Sequence, residues 1–121
     1  MKKNNLLDRL TDFSIEILNI TDQFPKDYAG IHLSKQLIRS GTSPSLNYAE
    51  AKGAESRADF KHKISIVLKE LRETQTALKI IEGRKYIPEK DFNSIYSESS
   101  ELVAIFTSAV KTATKNNNLK R

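Results

Sequence analysis

The chain of 121 residues has no cysteine and no tryptophan, and only 4 glycines and 3 prolines. Without cysteine there is no disulfide scaffold, no thiolate zinc site and no thiol nucleophile. So few glycines and prolines cannot supply the turns of a many-stranded sandwich or barrel. Long apolar runs are missing too. The longest apolar-leaning stretch free of charge is residues 102–110, well short of the roughly 20 residues that cross a bilayer. Lys2 and Lys3 resemble the start of an export signal, but Asp8, Arg9 and Asp12 interrupt the apolar run behind them. The expectation is a cytoplasmic protein with no membrane partner.

Enzymatic signatures are equally scarce. There is no Gly-x-Ser-x-Gly, no Gly-Lys-Ser/Thr phosphate loop and no Gly-x-Gly-x-x-Gly. A di-metal bundle site needs Glu-x-x-His on two helices. The histidines here are His32 and His62, with Ala29 and Asp59 three positions earlier. Both read as surface or boundary residues. Glu70 and Glu73, beside Lys69 and Arg72, read as a solvated face with ion pairs along one helix. No enzyme, cofactor or metal is expected.

What is present is helical periodicity. Leu6, Leu10, Phe13, Ile17, Ile20 and Phe24 form one stripe at alternating spacings of 4 and 3. Phe60, Ile64, Val67, Leu71, Thr74, Leu78 and Ile81 form a second. Ser56 is placed to cap that helix at its start and Gly83 to end it in a left-handed turn. A third stripe, Phe92, Ile95, Ser99, Leu102, Phe106, Ala109 and Ala113, follows Pro88-Glu89, with Pro88 suited to the first helical position. Beside it Tyr96, Val103 and Val110 recur every seven residues, either as a second interface or as a wider core face. The remaining segment begins with Leu33, Leu37 and Ile38 and then turns small and polar around Pro44. The missing amide of Pro44 predicts a kink there, with a break into two shorter helices capped by Ser43 as the alternative. Its small residues would let a neighbouring helix approach closely.

The fold expected is all-α: an antiparallel up-down-up-down four-helix bundle, with helix 2 kinked near Pro44. It fills one domain, residues 1–121, with helices at about 5–24, 29–53, 57–83 and 88–115 and short basic tails.

Charge has a location as well as a size. Lysine and arginine number 20 against 15 acids, a net +5. Setting aside Lys2, Lys3, Lys115, Lys120 and Arg121 leaves 15 against 15, so the surplus belongs to the termini. A second group, Lys52, Arg57, Lys61 and Lys63, gathers at one turn and is interleaved with Glu50, Glu55 and Asp59. It reads as a solvated mixed-charge end or as a phosphate-binding patch. The most distinctive polar set is Arg39, Ser43, Asn47 and Glu50, on one helix face at spacings of 4, 4 and 3. Arg39 and Glu50 lie about three turns apart and cannot pair within the helix, so each needs a partner on another helix or chain.

The run from residue 36 to 51, with Arg39-x-x-x-Ser43 and Asn47-x-x-Glu50, followed by Lys69-Glu70-Leu71-x-Glu73-Thr74, resembles the S23, or 23S rRNA intervening-sequence, protein family. The similarity covers nearly the whole chain. One departure is Ala51, where the family commonly has glycine. Gly53 is placed to take that turn role. The resemblance implies a bundle that assembles as a homopentamer, of a kind found encoded within insertions in bacterial 23S rRNA genes. It also implies kinship with the accessory protein of diversity-generating retroelements, a basic pentamer that binds nucleic acid and reverse transcriptase.

Together these point to a non-enzymatic oligomeric bundle that binds RNA or DNA without sequence preference. The contacts expected are Lys2, Lys3, Lys52, Arg57, Lys61, Lys63, Lys115, Lys120 and Arg121. The alternative is a protein-interaction scaffold that binds no nucleic acid, in which Arg39, Ser43, Asn47 and Glu50 are structural or interface residues.

Overall fold

Each of the first three helices begins where a side chain supplies an acceptor that the backbone lacks. The computed structural model describes residues 5–119, which form α1 (Leu6–Thr21), α2 (Tyr28–Lys52), α3 (Arg57–Gly83) and α4 (Glu89–Leu119). Asn5 accepts the Asp8 amide at 2.8 Å, Asp27 the Gly30 amide at 2.8 Å and Ser56 the Asp59 amide at 3.0 Å. These caps satisfy amides that the first turn leaves without partners. Pro88 lies just before α4, and its carbonyl accepts the Phe92 amide at 3.0 Å.

The helix ends differ from expectation in two places. α1 stops at Thr21 instead of Phe24, because the Gln23 and Phe24 amides fold back onto the Ile20 and Thr21 carbonyls. Phe24 keeps its place in the core from outside the helix, its ring centroid 5.2 Å from that of Tyr86. At the end of α3 the left-handed residue is Lys85 (φ 58°), and Gly83 is an ordinary helical residue. The Lys85 amide bonds to the Glu82 carbonyl and the Tyr86 amide to that of Ile81, which reverses the chain two residues later than a turn at Gly83 would.

α2 is one helix through Pro44, which overturns the two-helix alternative. Ser43 caps nothing: its carbonyl and hydroxyl oxygens accept Asn47 Nδ2 at 3.0 and 2.8 Å, inside the same helix. Thr42 and Ser45 hydroxyls donate to the Ile38 and Thr42 carbonyls, so polar side chains support the turn that lacks an amide.

Four helices pack as a square in chain order, α1 on α2, α2 on α3, α3 on α4, with α4 closing on α1. The core holds the three predicted stripes together with Leu37 and Ala51 of α2. Tyr48 and Phe106 meet edge-to-face across the diagonal, with centroids 5.5 Å apart. Tyr96, Val103 and Val110 are half-buried against this core, so the second stripe of α4 is a wider core face.

Each interface also carries a polar link that fixes its register. Ser14 donates to the Gly41 carbonyl at 3.0 Å between α1 and α2. Thr74 donates to Ser40 at 2.9 Å between α2 and α3. Gln75 donates to Ser99 at 3.0 Å between α3 and α4. Arg9 spans α1 to α4 through Glu98 and Glu101. Close approach of α1 to α2 depends on Gly41. A Cβ there would lie 2.7 Å from Ile17 Cγ1 and 2.8 Å from its Cγ2.

The helices are unequal, and that places the site. α1 has 16 residues and α4 has 31. Arg9, in the first turn of α1, already sits beside Glu98 and Glu101. The last turns of α4 therefore run on past the start of α1, alongside the α2–α3 turn.

Candidate functional site

The Arg39, Ser43, Asn47 and Glu50 face is used within the bundle. Arg39 reaches from α2 to α3, bonding Glu70 at 2.9 Å and pairing with Glu73. Glu50 accepts from Lys63 of α3 at 2.7 Å. That hydrogen bond is the main reason the Lys63 ammonium sits above its ordinary range. Asn47 and Ser43 bond to each other. Glu70 corrects the solvated-face expectation, because it is 8% exposed and turned toward α2. A carboxylate so placed needs a cation, and Arg39 supplies it. Arg39 and Glu50 thus tie α2 to α3, while Ser43 and Asn47 bond within α2.

A second charged set was not singled out from the sequence. Arg9 donates to Glu98 at 2.6 and 3.0 Å and to Glu101 at 3.0 Å. The hydrogen bond to Glu98, foremost, raises the Arg9 guanidinium above its ordinary range. The available signal was a lone cation in the acidic α1, facing two glutamates at i, i+3 spacing on α4.

The basic cluster behaves differently. Among the described residues, Lys52, Arg57, Lys61 and Lys115 form no ion pair, and only Lys63 of the turn cluster is engaged. Lys52, Arg57 and Lys115 are exposed, and Lys61 is half-buried beside His62 and Ser65. Lys2, Lys3, Lys120 and Arg121 lie outside the described residues. The backbone that carries them joins the bundle at Asn5 and Leu119, both at the end formed by the α2–α3 turn.

The fold shows how unevenly charge is spread along the bundle. Residues 50–63 with Lys111 and Lys115 of α4 hold six basic residues against three acids. Residues 22–35 with 79–91, at the opposite end, hold six against five. The stretch between is acidic in balance, with Asp8, Asp12, Glu16, Glu70, Glu73, Glu98 and Glu101 against Arg9, Arg39, Lys69 and Arg72. With Lys115 included these stretches hold 16 basic residues against 15 acids, so a nearly neutral body is the sum of a basic end and an acidic waist.

At the basic end lies a groove of about 810 Å³. Its floor is Ala51, Phe60, Ile105, Ala109 and Ala113, and Lys52, Glu55 and Arg57 stand at its edge. The groove follows from the short α1. Ser94, Ile95 and Glu98 of α4 face α1. Steps of seven along a helix keep nearly the same face, so that face continues through Ile105, Ala109, Thr112 and Asn116, which line the groove. Sequence periodicity could not disclose it, since Ala109 and Ala113 read as core in the stripe.

Among the described residues, no group of three or more His, Cys, Asp or Glu side chains is placed to hold a metal ion. His32 is exposed and stacks on Tyr28, and His62 is exposed on α3. No described helix is long and apolar enough to cross a membrane.

Comparison with known proteins adds a family. The family model described as 23S rRNA-intervening sequence protein matches residues 2–108. A similar solved structure is the 1.70 Å crystal structure of a protein of unknown function from the S23 ribosomal protein family of Bacteroides thetaiotaomicron VPI-5482. The two are 35% identical with a TM-score of 0.80, over 87% of this chain and 97% of that one. No curated protein matches the chain.

Proposed function

This chain belongs to the 23S rRNA-intervening sequence protein family, and we propose that it is a self-associating, non-enzymatic bundle that binds the backbone of RNA or DNA at its basic end. The observation that carries this reading is the polarisation of charge. Six basic residues meet three acids at the end where both chain termini join, and Lys52, Arg57, Lys61 and Lys115 there have no carboxylate partner among the described residues. Free ammonium and guanidinium groups on one surface attract phosphates and release counterions, which gives affinity without base selection. The acidic waist would repel the same polymer and so direct it to the end.

Self-association multiplies this effect by bringing several such ends together. The supporting observation is on α1 and α2, which carry Ile15, Leu18, Tyr28, Ile31 and Leu46, five of the six large hydrophobic residues exposed to solvent among the described residues. The family resemblance suggests five subunits. A cytoplasmic setting fits a cysteine-free chain that meets nucleic acid.

Gel filtration with light scattering, followed by fluorescence anisotropy on a labelled single-stranded RNA of about 20 nucleotides, tests both parts. The expected result is an oligomer whose binding at low salt weakens steeply as salt rises. A monomer would overturn self-association. An oligomer that fails to bind RNA or DNA at low salt would overturn the nucleic-acid reading in favour of a protein scaffold.

A further inference from the structure

From the groove at the basic end we infer a second activity: it docks an acidic amphipathic helix of a partner protein. This goes beyond nucleic-acid binding and does not depend on it. Three observations specify the occupant. The groove continues the lane that α1 fills along α4, so its direction suits a helix packed antiparallel to α4. From Ile105 to Asn116, the α4 residues that line it, the lane runs about 16 Å at 1.5 Å per residue, or roughly three helical turns. Its floor of Ala51, Ala109 and Ala113 beside Phe60 and Ile105 is apolar and shallow, which lets a helix backbone come close.

The third observation is charge. Lys52 and Arg57 line the α2–α3 edge with the single carboxylate of Glu55, and Lys115 follows on α4 one turn beyond Thr112; among the described residues none of the three cations forms an ion pair. An arriving helix with leucine or alanine on one face and glutamates along its flanks would bury the former and pair the latter. A basic helix would meet like charge at the rim. Within the chain itself, Arg9 of α1 already links to Glu98 and Glu101 of α4. The docking lane takes over where that link ends, with the sign of the α4-side and turn-side charges reversed.

The probe is a fluorescein-labelled peptide of about 12 residues, long enough to fill the lane. It carries leucine and alanine at i, i+3, i+4 and i+7 and glutamate on both flanks. A second peptide has lysine in place of every glutamate. Anisotropy and the far-UV signal of the peptide are read with the full chain. Expected are saturable binding and helix formation by the acidic peptide, and binding of the lysine peptide weaker by about tenfold or more. Lys52→Glu/Arg57→Glu, which changes only exposed side chains, weakens the acidic peptide by about tenfold. Ala109→Trp fills the floor and abolishes peptide binding while leaving RNA affinity intact, which separates this surface from the phosphate contacts. The inference is overturned if the acidic peptide does not bind at about 100 μM, or if the two peptides bind alike. It is also overturned if both variants bind like the parent, or if Ala109→Trp lowers the subunit number, since the groove would then hold a second copy of this chain.

Discussion

Replacing Gly41 by alanine tests the packing that sets α1 on α2, and two opposing terms decide its sign. An alanine in a helix interior gains about 1 kcal/mol over glycine. Against this, the added Cβ would lie 2.7 and 2.8 Å from the two γ carbons of Ile17, a residue with no exposed surface. Both clashing atoms sit on the Cβ of a β-branched residue, which has one favoured rotamer in a helix, so rotation gives no relief. α1 must move outward by about 1 Å. Overpacking of this kind costs about 1–3 kcal/mol. The shift also strains the Ser14 to Gly41 hydrogen bond, for about 1 kcal/mol more. The net is a loss of about 2 kcal/mol, or about 8 °C in Tm for a domain of this size. Urea and thermal melts followed at 222 nm, at one fixed protein concentration, measure it. Ile17→Ala removes both clashing atoms at a cost of about 2–5 kcal/mol of its own. On that background Gly41→Ala should turn stabilising by about 0.5–1 kcal/mol. If Gly41→Ala stabilises both backgrounds equally, the close approach of the helices does not exist and the reasoning fails.

Three other changes bear on the helix ends and ion pairs. Lys85→Gly removes the cost of a left-handed side chain at φ 58° and should stabilise by about 1 kcal/mol in the same melts. Arg39→Ala leaves the buried Glu70 carboxylate without its cation, while Arg39 itself is 55% exposed. A loss of about 1–2 kcal/mol is expected, and Arg39→Met/Glu70→Leu should recover most of it. Lys63 has its pKa raised above 10.5 by Glu50 in the folded state. Its contribution is therefore complete below about pH 10.5 and disappears as pH climbs through the raised value. Lys63→Met should show a shallower alkaline loss of stability than the parent above that pH.

The helices were legible because three of them carry an apolar residue at nearly every inward position. α2 was less legible. Its buried positions include Gly30, Ser40, Gly41 and Pro44, chosen for close approach and not for apolar burial. The end of α1 was misplaced because Phe24 is core without being helical, whereas α3 ends at Gly83 as expected and only the left-handed position differs, falling to Lys85, for which propensity gives no warning. Glu70 looked like one more surface glutamate, since only the juxtaposition of α2 shows that Arg39 covers it. The basic cluster was visible as residues, but which of its cations pair with carboxylates was not. Of the acids interleaved in sequence, Glu50 takes only Lys63 of the cluster, and Asp59 accepts the Glu55 amide. The groove depends on the difference in length between α1 and α4, a property of two distant segments that no local pattern records.

The salt dependence of nucleic-acid affinity tests the basic end most directly. Log K against log salt would be measured by anisotropy on single-stranded RNA for the parent and for two variants of equal charge change. One variant is Lys52→Gln/Arg57→Gln/Lys61→Gln at the α2–α3 turn. The other is Lys26→Gln/Lys35→Gln/Lys90→Gln at the opposite end. Each phosphate contact on a single strand contributes about 0.7 to the slope. If the three turn residues all contact phosphates, the first variant should flatten the slope by about 2, and the second should leave it unchanged. Equal flattening by both, or by neither, would contradict a binding surface at this end of the bundle.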